Sequence, residues 1–255
     1  GEFAASSLAT IPEQLEQAKY ILGEKGRNAR YIAYFQENTN TYGPVSRLEP
    51  LFRAAMEPED VVALSVATRP DCLGPDSLAM LARLRAVKPV WVELGVQTVH
   101  DETAARLNRC YPTSLFFSAA ERLAQAGLPV IAHLILGLPG ETAAMMAQSV
   151  DAVCRAPVSG LKLALLHVLR GTPLEEAYHK GLVPYYSPDA YADLLCSLLP
   201  RVPASVVLHR LTGDGDRRLL LSPLWSADKK RVLNTLKRRF LEKNVVQGSF
   251  FQKTY

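Results

Sequence analysis

A chain of 255 residues with 48% apolar and 21% charged residues buries a full core, which excludes an intrinsically disordered protein. No apolar run reaches the ~18 residues a membrane-crossing helix needs, and GEFAASSLATIPEQ at the start lacks the basic-then-apolar layout of a secretory signal, so a cytoplasmic protein is expected. The net charge of +4 permits an acidic partner such as RNA and does not demand one.

Helix and strand alternate along the chain. Thr10, Pro12 and Glu13 announce a helix, and Leu15, Ala18, Ile21 and Leu22 follow at helical spacing. YIAYF (31–35) is the first strand visible, and TNTYGP (39–44) is a loop. A helix over 45–57 leads to a strand over 61–66, a helix over 77–87 and a third strand over 90–97. Helices over 101–109 and 113–126 precede a fourth strand, PVIAHLILG (129–137). A helix over 141–156 and a fifth strand, LKLALLHVL (161–169), come next. Helical stretches over 174–180 and 188–199, a sixth strand over 205–211 and a helical tail over 226–243 complete the pattern.

Strands separated by helices imply parallel βαβ units, and strands apolar almost throughout imply cover on both faces. Five or six such units make either a whole or partial barrel or an open doubly wound sheet. In both, chemistry gathers at the carboxyl ends of the strands. The chain is expected to hold a barrel core over 1–225 and a helical tail over 226–255 packed on or beside it.

The polar residues gather at those strand ends. Thr39, Asn40 and Thr41 follow the first strand, and Thr68-Arg69-Pro70-Asp71 the second. On the third strand Glu93, Gly95 and Gln97 share one face, as do His133, Ile135 and Gly137 on the fourth. If that face points inward, Glu93 needs a partner, which Arg69 or Lys162 could supply. GLPGET sets a glycine-rich turn before a helix whose first turn contains Glu141. His167 ends the fifth strand, and His209, Arg210 and Asp214 cluster at the sixth. The four cysteines, Cys72, Cys110, Cys154 and Cys196, lie far apart, so no metal site is expected in this chain.

ELGVQT (93–98), LNR (107–109), HLILGLPGET (133–142) and LLHVLRGTPL (165–174) together resemble the radical S-adenosylmethionine (SAM) superfamily. YFQENTNTYGP, TRPDC and HRLTGDGD resemble, more narrowly, the bacterial YhcC-like radical-SAM proteins, relatives of the Elongator-type tRNA-modifying enzymes and the methylthiotransferases. The likeness runs from about residue 10 to the end. It implies an α/β fold, a partial (β/α)6-type TIM-like barrel of mostly parallel strands whose first strand is absent. It also implies SAM and a [4Fe–4S] cluster held by three cysteines, the pair generating a 5′-deoxyadenosyl radical. An electron donor such as flavodoxin or ferredoxin and an RNA substrate such as tRNA belong to the same implication. No CxxxCxxC stands in the chain, so the cluster ligands are expected upstream of residue 1 and this piece is expected to be inactive alone.

Position by position, the resemblance gives Thr39, Asn40 and Thr41 to the SAM amino group, Gln97 to SAM and Arg109 to its carboxylate. His133 stands at the ribose position and Gly137 beside the adenine. Arg69, Asp71, His167, His209, Arg210 and Asp214 fall on the substrate side. Two other readings compete. One is a non-catalytic RNA-binding or scaffold module on a degenerate barrel. The tail supports it: Lys229, Lys230, Arg231, Lys237, Arg238, Arg239 and Lys243 against Asp228 and Glu242 leave +5 over 226–243. The other is a barrel lyase or aldolase, for which Lys162 is the one strand lysine.

Overall fold

The structure, a computed structural model, describes residues 9–26, 28–213 and 215–251. Among the described residues the chain runs α1 (Ile11–Leu22), β1 (Tyr31–Phe35), α2 (Val45–Met56), β2 (Val61–Thr68), α3 (Pro75–Arg85) and β3 (Val90–Gln97). It continues through α4 (Asp101–Arg106), α5 (Thr113–Gln125), β4 (Val130–Leu136), α6 (Ala143–Arg155), β5 (Gly160–Leu165) and β6 (Val168–Leu169). The last elements are α7 (Pro173–His179), α8 (Pro188–Leu198), β7 (Val207–Arg210), β8 (Leu220–Ser222) and α9 (Lys229–Glu242).

Six strands form one sheet in the order β1-β2-β3-β4-β5-β7. The pairs β1/β2, β2/β3 and β5/β7 are parallel. Each strand lies beside its neighbour in sequence, with no reversal of order. That progression is the one of a (β/α) barrel rather than a doubly wound sheet, whose strand order reverses at a switch point. The expected α/β partial barrel is therefore the fold present.

The elements form for local reasons. Thr10 and Glu13 make a capping box at α1: the Thr10 N–H donates to Glu13 Oε2 (2.7 Å), and the Glu13 N–H to Thr10 Oγ1 (3.5 Å). Ser187 caps α8 by accepting from the Ala190 N–H (3.2 Å), with Pro188 in the first turn. Asp228 caps α9 by accepting from the Arg231 N–H (3.0 Å).

Three boundaries depart from the sequence pattern. The helix expected over 141–156 starts at Ala143, because Thr142 stays extended and its hydroxyl accepts from the Met145 N–H (3.2 Å). Glu141 thus precedes the helix. The strand expected over 161–169 is two strands: β5 ends at Leu165, and β6 turns away to pair antiparallel with β8. A run that is apolar but for Lys162 and His167 reads as one strand, since no turn residue marks a change of partner. The helix expected over 101–109 ends at Arg106 and leaves 107–112 as a loop.

The chain divides into two compact units, Gly1–Gly95 with Ser118–Ile131, and Val96–Phe117 with Ala132–Tyr255. The first is built on Phe52, Leu64, Met80, Leu81, Leu84 and Leu123, each at most 1% exposed. The second is built on Phe116, Leu134, Leu136, Leu163, Tyr191 and Leu195, likewise buried. On β4, Ala132, Leu134 and Leu136 are buried while His133 and Ile135 on the other face are half-buried. In the second unit α9 lies on α8, held by Arg239 to Asp193 (2.6 Å), Lys243 to Asp193 (2.9 Å) and Arg238 to Asp189 (2.5 Å). No described helix is long and apolar enough to cross a membrane.

Leu134 is 1% exposed on β4. Leu134→Ala should lower unfolding free energy by about 2–5 kcal/mol through lost burial and a residual cavity. Leu233→Ala on the outer face of α9, where the side chain is 61% exposed, should change it by less than about 0.5 kcal/mol. Urea unfolding of both variants checks the contrast.

Candidate functional site at the strand ends

In the first unit the loop after β1 is stapled to its neighbours by its own side chains. Asn40 Nδ2 donates to the carbonyls of Phe35 (2.9 Å) and Ala67 (2.8 Å). Thr41 donates to the Cys72 carbonyl (2.7 Å), so the Thr68 hydroxyl, 2.5 Å away, donates to Thr41. Asn40 and Thr41 thus spend these groups on holding the loop. Arg69 and Asp71 pair with each other as a two-point fork (3.0 and 2.7 Å), and Arg69 holds the Asp71 carboxyl below the usual range.

Glu93 is 3% exposed. The hydroxyls of Tyr34 (2.7 Å) and Ser65 (2.8 Å) donate to its two oxygens. Tyr34 pairs with Ser65 and Ala67 with Glu93 in the parallel register, so all three polar groups share one face. The sequence pattern suggests Arg69 or Lys162 as a partner for Glu93 and does not name these two hydroxyls. The period of two, followed across the register, would have found Tyr34.

In the second unit β3 ends in a strained turn. Gln97 has φ 57°, and the Thr98 N–H donates to the Val96 carbonyl (2.7 Å), closing a γ-turn about Gln97. A non-glycine residue at this φ costs about 1–3 kcal/mol and persists only where its surroundings hold it. Arg109 supplies the hold. Its side chain is 4% exposed, and all five N–H donors have acceptors within the chain. Nη1 donates to the carbonyls of Val96 (2.8 Å) and Thr98 (2.7 Å), and Nε to that of Tyr111 (3.1 Å). Nη2 donates to Asp101 Oδ1 (2.8 Å) and Thr113 Oγ1 (2.7 Å). A ligand carboxylate at Arg109 would have to displace one of these five. Tyr111, which the sequence reading also missed, stacks under the guanidinium at 4.8 Å and donates its hydroxyl to Gln97 Oε1 (3.3 Å).

Gly137 ends β4 with φ 81°. A Cβ there would stand 3.1 Å from the Tyr186 ring and 3.5 Å from Leu165, so the missing side chain lets the ring lie on the backbone. Burial, then the nearby Glu141 carboxylate, raises the Tyr186 phenol above its ordinary pKa. Glu141 in turn accepts from the Thr98 hydroxyl (2.5 Å). Further on, a Cβ at Gly213 would lie 2.7 Å from the His167 ring and one at Gly215 2.9 Å from it, so the two glycines cradle the imidazole. His133 is half-buried on β4, and His209 and Arg210 lie on the edge strand β7, with His209 exposed. Asp214 lies outside the described residues.

Among the described residues no group of three or more His, Cys, Asp or Glu could hold a metal. Cys154 and Cys196 are buried, and burial pushes the Cys154 thiol up to about 12, far from the thiolate a cluster needs. These residues do not fit a [4Fe–4S] cluster.

The model of the Radical SAM superfamily matches residues 6–153, and that of the Radical_SAM C-terminal domain matches 158–242. YtqA of Bacillus subtilis is 39% identical over 253 residues, 99% of this chain and 79% of that protein. YhcC of Escherichia coli is 34% identical over 241 residues, 94% and 77% of the two chains. Among solved structures, the archaeal Methanocaldococcus infernus Elp3 with an N-terminal deletion superposes with a TM-score of 0.77 at 18% identity. That match covers 93% of this chain and 59% of the other, and it is a likeness of fold.

The Thr113 hydroxyl (2.6 Å) and N–H (2.8 Å), with Arg109 beside them, hold the Asp101 carboxyl below its ordinary pKa. A lowered carboxylate pKa stabilises the folded chain above the unfolded value, and that stability is lost as pH falls through the folded one. The wild-type advantage over Asp101→Asn should therefore be constant above about pH 5 and shrink below about pH 3.9. Urea midpoints against pH measure it. A difference that does not change across that window would contradict the assignment.

Proposed function

This chain belongs to the radical SAM superfamily, and on that premise we propose that it supplies the SAM-binding strand ends of a radical-SAM enzyme core. One observation carries the reading. The backbone at the end of β3 and just after β4 is left-handed, at Gln97 and Gly137, where the first offers an oriented amide and the second lets the Tyr186 ring lie against the chain. The Tyr111 hydroxyl takes the Gln97 oxygen and leaves the amide N–H groups to donate to a ribose hydroxyl or a carboxylate. His133 is the ribose candidate on β4. In the family, bound SAM and a cluster supply a 5′-deoxyadenosyl radical. The described residues contain no ligand set for that cluster, so this chain alone binds the nucleoside without cleaving it.

The expected result is binding of S-adenosylhomocysteine to the chain by calorimetry, weakened about three- to tenfold by Gln97→Ala through the loss of one hydrogen-bonding group. Anaerobic incubation with SAM, iron, sulfide and a strong reductant should release no 5′-deoxyadenosine. Absence of binding at millimolar ligand would overturn the reading.

The RNA-binding reading has its own support on α9. Arg238, Arg239 and Lys243 are paired with Asp189, Asp193 and Glu242. Lys230, Arg231 and Lys237 are exposed on the outward side, around Asn234. The apolar side of the helix, Val232 and Leu236, is buried, which leaves electrostatics as the way this face attracts a polyanion. A Lys230→Glu, Lys237→Glu double variant should lose salt-sensitive retention of tRNA. Retention equal to wild type at low salt would refute this reading.

A further inference from the structure

We propose that Lys162 and Arg210 form a binding site for an anionic group of the substrate, a phosphate or a carboxylate, on strands β5 and β7 of the second unit. Leu161 and Leu163 are fully buried on one face of β5, so Lys162, 9% exposed, stands on the other with the half-buried Ala164. β7 pairs parallel with β5, with Leu208 opposite Leu161. An unbroken ladder would then set His209 opposite Lys162. The register instead shifts between Leu161 and Lys162, and Arg210 takes that place. A shift of one residue turns the side chains that follow to the other face of their strand. It moves Arg210 from the face of the buried leucines to the side of Lys162, one strand spacing of about 5 Å away.

Two cations set side by side concentrate positive charge. An anion with several oxygens meets both at once, the ammonium as a point charge and the guanidinium as a fork. β4, β5 and β7 contain no Asp or Glu, so these strands do not themselves neutralise the pair. Both residues also interact within the chain, so what they offer a ligand is charge and position rather than idle donors. On β4, beside β5, Ala132, Leu134 and Leu136 are buried and His133 lies on the half-buried face. The two cations thus stand one and two strands from the ribose candidate, where a substrate would lie beside the nucleoside. Calling the anion a substrate rests on the SAM reading, whereas the anion site itself does not.

The probes are inorganic pyrophosphate and citrate, a phosphate and a carboxylate source of the same oxyanion chemistry. Affinities are measured by calorimetry at about 0.15 M salt, where exposed charges are screened. The proteins are the 255-residue chain, its Lys162→Met, Arg210→Gln and Arg210→Lys variants, and the Lys230→Glu, Lys237→Glu double variant of α9. At least one probe should bind. The expected loss is about tenfold in Lys162→Met and in Arg210→Gln, one charge-assisted contact each, with a change of less than about twofold in the α9 variant. Arg210→Lys, which keeps the charge, should lose less than Arg210→Gln, and an equal loss would overturn the proposal. Unchanged affinity in Lys162→Met and Arg210→Gln would overturn it as well, as would a loss confined to the α9 variant or no binding of either anion at millimolar concentration. If Lys162→Met does not fold, the two Arg210 variants on the edge strand decide. S-adenosylhomocysteine is titrated alongside. Anion binding that needs both cations, without binding of S-adenosylhomocysteine, upholds this site and sinks the SAM reading alone. Binding of S-adenosylhomocysteine without either anion sinks this site alone.

Discussion

A guanidinium removed from water has to find an acceptor for every N–H, and Arg109 finds five within thirteen residues of itself. The residues that supply them run from Val96 to Thr113, which is the path from the end of β3 across α4 to the start of α5. The organisation of that segment follows from this one demand. Leaving one donor of a buried guanidinium without an acceptor costs about 1–3 kcal/mol or more, comparable to the strain of a single left-handed residue, and Arg109 makes five such bonds. The cation can therefore hold Gln97 in a conformation that its own backbone disfavours. The loop over 107–112, whose first three residues were expected to continue a helix, has the same origin. Asn108 and Cys110 adopt positive φ on either side of Arg109, which turns the side chain back towards the strand end.

The other strand ends use the same device with different atoms: short polar side chains hold a loop, and glycine admits a ring. Asn40 and Thr41 fasten the loop after β1 to the carbonyls of Phe35, Ala67 and Cys72. Gly137 receives the Tyr186 ring, and Gly213 and Gly215 receive His167. Tyr186 is fixed from behind, since its carbonyl accepts from the Trp225 indole N–H (2.8 Å). Each of these contacts fastens a strand-end loop or ring to nearby backbone within its own unit.

The tail divides its charges by face. The cations turned towards α8 meet Asp189 and Asp193, and those turned outward keep their charge exposed to solvent. Exposed pairs of this kind contribute little each, so Val232 and Leu236 do most of the docking of α9 by burial. The outward cations are then free of any packing duty.

The alternation of apolar runs and helical periods was enough to identify the α/β class and the six strands of the main sheet, and the resemblance of short motifs was enough to identify the family. The chemistry of strand ends pointed at Gln97 and Gly137, and the resemblance at Arg109. These signals are local: a period of two or 3.6, a cap, a glycine, a short motif. What the tertiary structure decided was which partner each group takes. Glu93 is met by Tyr34 and Ser65, residues 59 and 28 positions away. β5 hands over to β6 because a strand more than fifty residues on, β8, is there to pair with it. The resemblance assigns Arg109 to a carboxylate because a motif gives a residue type and a position. Whether its five donors are already taken depends on where distant carbonyls come to lie, and only the folded chain sets that.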